Sequence, residues 1–165
     1  MGEWQVPVTR LHTYETHVVW TGNLGTGTSG YREYSRAHDL SATDRPVILG
    51  SADRTFRGDP TRWNPELALL GALSQCHLLS YLHVCVKAGV IVLSYTDDAV
   101  ATMAQSGDGG RFTEAVLRPH VGVASSDMVD NAVALHADAN RDCFIANSVN
   151  FPVHHQPTVS VVHSE

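Results

Sequence analysis

Residues 64–89 read NPELALLGALSQCHLLSYLHVCVKAG, and no other run constrains the fold as much. Asn64 offers an N-cap, Pro65 suits the first helical position, and Glu66 places an acid in the first turn, so a helix starts here. Gly89 supplies a stop, and Lys87 complements the dipole of the last turn. The apolar stretch 67–86 approaches the length of a membrane span. Gln75, His77, Ser80 and His83 would be costly in lipid, however, so a buried helix of a soluble protein fits better. Gly71 is the weakest helix former inside the run and the expected place for a break, which gives a short helix followed by a long one.

The flanking sequence reads as strands. THVVWTGN (16–23) ends in a Gly/Thr/Ser-rich turn, YREYSRAHDLSA (31–42) suits a return strand, and RPVILGSADRTF (45–56) suits a third. VIVLSYTDDAVATMA (90–104) and RFTEAVLRPHVGVA (111–124) form a hairpin around QSGDGG. A second helix is expected over 125–143, capped by Ser126 or Asp127, with Met128, Ala132, Leu135 and Ala139 at helical spacing. PVHHQPTVSVVH (152–163) alternates as a final strand. The order βββ-α-ββ-α-β is α+β, with antiparallel sheet and two principal helices in a single domain over 1–165.

Composition narrows the function classes. The chain has 165 residues, enough for one domain, and a formal net charge of −6 without any run of Lys/Arg longer than a pair. A nucleic-acid partner is therefore not expected, and neither is a membrane. Three cysteines are too few and too widely spaced for a secreted disulfide framework. The opening MGEWQVPVTRLHTYE is mixed and polar, so no signal peptide is indicated and the cytoplasm is the default location.

The cysteines differ in setting. Cys76 and Cys85 are nine residues apart and face opposite sides of one helix at ~100° per residue, and Cys85, between Val84 and Val86, reads as packing. Cys76 lies between Gln75 and His77, with Glu66 upstream. On a straight helix those ten residues rise roughly 15 Å, so Glu66 and Cys76 meet only if the chain bends. Cys143 ends the second helix beside a polar segment, where a thiol is exposed enough to react. Two such cysteines suit a peroxidatic and resolving pair, as well as the plainer reading of two buried hydrophobes. The ten histidines lack metal-ligand spacing: His77 and His83 miss a shared helix face, His154 and His155 point to opposite sides of a strand, and there is no HExxH or CxxC. They read as surface or satisfied core groups, and no metal or cofactor is expected.

At these residues the chain resembles the OsmC/Ohr family, the osmotically inducible protein C and organic hydroperoxide resistance proteins. NPELALLGALSQCHLLSYLHVCVKAGV is similar to the family's NPE–helix–Cys–helix–AG signature. ALHADANRDCFIANS is similar to its second, in which a helix runs into a Cys, although Phe144 stands where the family commonly has Pro. The likeness covers most of residues 15–163.

The resemblance implies an OsmC-like fold in an intertwined homodimer, with active sites at the interface. It implies a thiol peroxidase acting on organic hydroperoxides, with Cys76 as peroxidatic cysteine, Cys143 as resolving cysteine and an external dithiol as reductant. Glu66 would orient an arginine that stabilises the Cys76 thiolate, Arg57 being preferred over Arg36. Leu78, Leu79 and Leu82 would line the approach of an alkyl hydroperoxide. The rival reading is a non-catalytic protein of the same fold that binds a small apolar ligand or senses oxidants. Hydrolase or transferase chemistry with His77 as base fits poorly, because adjacent helical residues diverge by ~100°.

Overall fold

The structure, a computed structural model, describes residues 10–162. Residues 1–9 of the opening stretch and His163, the last residue of the predicted final strand, lie outside the described residues. The chain divides into two compact units, residues 1–65 and 66–165.

In the first unit, β1 (His17–Trp20) pairs antiparallel with β2 (His38–Ser41), which pairs antiparallel with β3 (Ile48–Gly50). The three strands come in the predicted order but are shorter than the runs that announced them. Residues 31–36 wrap around the Arg36 side chain, and Arg54–Phe56 form a 3₁₀ turn capped by Asp53, whose carboxylate accepts from Thr55 N at 2.7 Å.

The second unit opens with α1 (Pro65–Ala88), which begins and ends where its caps place it; Gly89 follows with φ +72°, a left-handed conformation that glycine adopts without strain. The expected break at Gly71 is absent, and α1 is one continuous helix. One glycine costs a helix about 1 kcal/mol, and the leucines and alanines around it favour helix. Leu73, His77, Tyr81, Val84 and Cys85 form the buried face of α1. On the opposite side Ala68, Gln75, Leu79, Leu82 and Val86 are exposed, so α1 is not covered on all sides.

Each run predicted as one hairpin strand is two strands. These are β4 (Val92–Asp97) and β5 (Val100–Ser106), then β6 (Gly109–Leu117) and β7 (Pro119–Val123). Asp97 marks the break. Its carboxylate accepts from Arg118 N at 2.7 Å and from the Ser74 hydroxyl at 2.5 Å, and Pro119 has no N–H to extend the ladder. The β5–β6 turn is Gly107–Asp108, with Gly107 at φ +61° in the first turn position.

The second helix, α2 (Val129–Asp142), follows a 3₁₀ turn at Ser126–Met128. Met128 occupies the N-cap without a side-chain bond, so neither Ser126 nor Asp127 caps it as expected; the preceding turn supplies its entry. Ala132, Leu135, His136 and Ala139 are its buried face. The final run is also two strands, β8 (Val153–His155) and β9 (Thr158–Val161), separated at Pro157.

The sheets are β4–β7–β9 and β5–β6–β8. The antiparallel pairing expected from sequence is present in β4–β7 and β5–β6, and parallel pairings join it: β8 runs parallel to β6 and β9 parallel to β7. The crossover through α2 returns the chain in the direction of the strand it left, as a parallel pairing requires. The core joins Tyr81, Val84 and Cys85 of α1, Val121 and Val123 of β7, and Ala132, Leu135 and Ala139 of α2. The architecture is α+β, with two principal helices and mixed sheets.

Candidate active site

The α1–α2 packing brings together two cysteines that lie far apart in sequence. Cys76 sits midway along α1, and Cys143 is the C-cap of α2. Both are free thiols, and they lie close enough for Cys76 to bear on the ionisation of Cys143. Cys143 is 1% exposed, so its helix-terminal position does not leave it open as the sequence suggested. Burial pushes its thiol up to about 11, and the neighbouring Cys76 pushes in the same direction. Cys76 is only partly buried and reaches solvent.

The turn after Cys143 is held by its own bonds. Asn147 N donates to Cys143 O at 3.0 Å, Ser148 N to Ile145 O at 3.0 Å, the Ser148 hydroxyl to Phe144 O at 2.6 Å, and Asn147 Nδ2 to Arg141 O at 2.9 Å. Two of its amides point at sulfur: Ile145 N to Cys76 Sγ and Ala146 N to Cys143 Sγ, each at 3.5 Å.

Cys76 opens into a cavity of about 670 Å³ lined also by Leu79, Ser80, His83, Arg141, Asp142, Phe144 and Asn147. Cys76, Ser80 and His83 follow one another along the helix at helical spacing. Leu79 and Phe144, 67% and 75% exposed, make its apolar wall. Of the three leucines expected to line an approach to the sulfur, only Leu79 is in that wall.

The other expected site residues are placed differently. Glu66 is in the first turn of α1, ten residues from Cys76 on an unbroken helix, so a rise of roughly 15 Å holds the two apart within one chain. Its Oε2 is buried without a hydrogen-bond partner. Arg36 and Arg57 belong to the first unit. The Arg36 guanidinium lies 4.4 and 4.2 Å from the ring centroids of Tyr31 and Tyr34 and donates to both their carbonyls, at 2.9 and 2.8 Å. Arg57, the slightly preferred candidate, is exposed and closes the 3₁₀ turn at φ +64°.

Sequence reasoning missed Arg141, the arginine in the cavity wall. Its place two residues before Cys143 was the available signal. Its guanidinium is already paired, at 2.7 Å with Asp138 and 3.7 Å with Asp142.

Three histidines read as scattered converge beneath the thiols' helices. His77 of α1 and His136 of α2 are buried, with Nε2 of the first 2.9 Å from Nδ1 of the second. His155 of β8 stacks on His77 at 4.8 Å, and Tyr81 on His136 at 3.9 Å. Burial lowers His77 to about 3 and His136 to about 4, with charge repulsion inside the group adding to it, so both are neutral near pH 7. His77 Nδ1, His136 Nε2 and His155 Nε2 lack protein partners. Among the described residues no group of three or more His, Cys, Asp or Glu side chains is arranged to hold a metal ion.

Comparison with known proteins agrees with this architecture. The family model described as OsmC-like protein matches residues 58–157. No curated protein matches the chain. An OsmC-like protein of unknown function from Vibrio cholerae is 31% identical, with a TM-score of 0.80 over 90% of this chain and 100% of that one. Two organic hydroperoxide resistance proteins share the fold at lower identity. The Legionella pneumophila protein is 18% identical, with TM-score 0.64 over 92% of this chain and 99% of its own. The Elizabethkingia anophelis protein is 17% identical, with TM-score 0.63 over 93% and 99%. By the matched residues, the 31% identity and the shared fold, the chain belongs to the OsmC-like family.

Proposed function

We propose that this protein is a thiol peroxidase that reduces organic hydroperoxides. The observation that carries the reading is the placement of the Cys76 and Cys143 thiols against adjacent amides of one turn, one thiol facing an apolar-walled cavity and the other buried and protonated. Some structural relatives are organic hydroperoxide resistance proteins, which supports the same reading.

The chemistry follows from the two environments. The Cys76 thiolate attacks the distal oxygen of ROOH, the O–O bond breaks, and the alkoxide takes a proton to leave as ROH. Cys76 is left as a sulfenic acid. The Cys143 sulfur then attacks the Cys76 sulfur; its proton leaves with the sulfenic hydroxyl as water and a disulfide forms. An external dithiol reduces that disulfide by exchange, becoming oxidised itself. No resident metal or cofactor has a part. Glu66 and an arginine, Arg57 or Arg36, are proposed to steady the thiolate.

The proposed working form is a homodimer in the cytoplasm, where thiols are kept reduced. The exposed positions 75, 79, 82 and 86 of α1 fall on one stripe with alternating four- and three-residue spacing, and 68 lies on it seven residues earlier, which suits packing against a second helix. Docking there would bring a partner's residues toward the Cys76 face, where this chain's Glu66 does not reach.

The test is consumption of cumene hydroperoxide with a dithiol present. Wild-type protein turns over and Cys76→Ser does not; full turnover by Cys76→Ser refutes the proposal.

A further inference from the structure

A thiolate needs a positive partner or hydrogen-bond donors, and two of the polar groups around Cys76 are committed elsewhere. Arg141 is paired with Asp138 and Asp142, and Asn147 Nδ2 is bonded to Arg141 O. In the turn after Cys143, the amides of Ala146, Asn147 and Ser148 are taken by Cys143 Sγ, Cys143 O and Ile145 O. The amide of Ile145 points at Cys76 Sγ, at 3.5 Å.

We propose that the backbone N–H of Ile145 is a positioned donor that stabilises the Cys76 sulfur anion beside the proposed arginine, and so couples the reactivity of Cys76 to the turn that carries Cys143. Hydrogen bonds to charged acceptors are the strong ones, and a donor held in place needs no reorganisation when the charge forms. The four bonds that pin residues 143–148 provide that rigidity. Attack on the peroxide removes the negative charge on the sulfur this donor faces, so the turn becomes freer to move once Cys76 is oxidised. The inference rests on Cys76 being the reactive cysteine, but its test needs no peroxide.

Ile145 has φ −71°, within the range proline adopts, so Ile145→Pro removes the N–H with little demand on its own backbone. Ile145→Ala removes the side chain and keeps the donor. In a full-length background of Cys85→Ala and Cys143→Ala, iodoacetamide reports Cys76 alone. Ile145→Pro should slow alkylation about tenfold at pH 7, the equivalent of one lost charge-assisted bond, and leave the rate at pH 10 within about twofold. Ile145→Ala should leave both rates unchanged. An unchanged rate at pH 7 in folded Ile145→Pro, or the same loss in Ile145→Ala, overturns the proposal.

If Ile145→Pro does not fold, the Ile145 amide proton decides. Its NMR resonance should move downfield as Cys76 ionises and stay still in Cys76→Ala; a resonance that ignores the ionisation overturns the proposal. A protein that passes these tests but consumes no hydroperoxide keeps the donor and loses the peroxidase.

Discussion

The Cys143 thiol, buried to 1% exposure, and the sulfur of partly exposed Cys76 are met by adjacent amides of one turn, those of Ala146 and Ile145. The pair is asymmetric: Cys143 is held protonated by burial, while Cys76 reaches solvent. A limiting amount of iodoacetamide at pH 7.5 should therefore label Cys76 at least about tenfold faster than Cys143, since only the thiolate is the nucleophile. Peptide mapping of the labelled protein checks this, and equal labelling contradicts it.

Cys85 tests the opposite assignment. It is 1% exposed in the core with Tyr81 and Val84, and burial raises its thiol. Cys85→Ala should lower stability by about 1–2 kcal/mol through lost packing while turnover per folded molecule stays unchanged. Urea denaturation and a peroxide assay on the same preparation separate the two effects.

The exposed stripe of α1 predicts association. Leu82 and Val86 are 36% and 78% exposed, and burying such side chains contributes about 1.5–3 kcal/mol each. Wild-type protein should sediment as a dimer. Leu82→Glu with Val86→Glu should weaken the dimer by about a hundredfold or more, because two apolar contacts are lost and two charges are buried. A double variant that sediments as wild type would place the interface elsewhere.

The histidine group predicts acid lability. His77 and His136 are held below the ordinary 6.5, to about 3 and about 4, so the unfolded chain binds protons that the folded chain refuses. The stability they allow is fully present above pH 6.5 and is lost as pH falls from there toward 4. The slope is about 1.4 kcal/mol per pH unit for each histidine, or about 3 kcal/mol for both at pH 5.5. Denaturant midpoints at pH 7.5 and 5.5 measure the loss, and His136→Phe should roughly halve it.

What the sequence revealed was local. Asn64, Pro65, Glu66 and Gly89 bound α1 because caps act through neighbouring backbone, and the 107–108 turn was visible for the same reason. Gly71 misled because a single helix-breaking residue is outweighed by its neighbours and by the packing of Leu73, His77 and Tyr81. The direction of β8 and β9 was hidden, since an alternating pattern reads alike in parallel and antiparallel ladders. Burial of Cys143 depends on what covers a helix end, which spacing does not report. Arg141 and the His77–His136–His155 group were missed for a related reason: each needs elements to converge that are distant in sequence. The Cys76–Cys143 pair itself was legible chiefly through the likeness of both segments to a family.

The most direct test of the account is peptide mapping by mass spectrometry after one equivalent of cumene hydroperoxide, without reductant. A Cys76–Cys143 disulfide should form, with Cys85 still a free thiol, and Cys143→Ser should carry a trappable sulfenic acid on Cys76. A chain whose Cys76 and Cys143 both remain reduced while the hydroperoxide persists would contradict it.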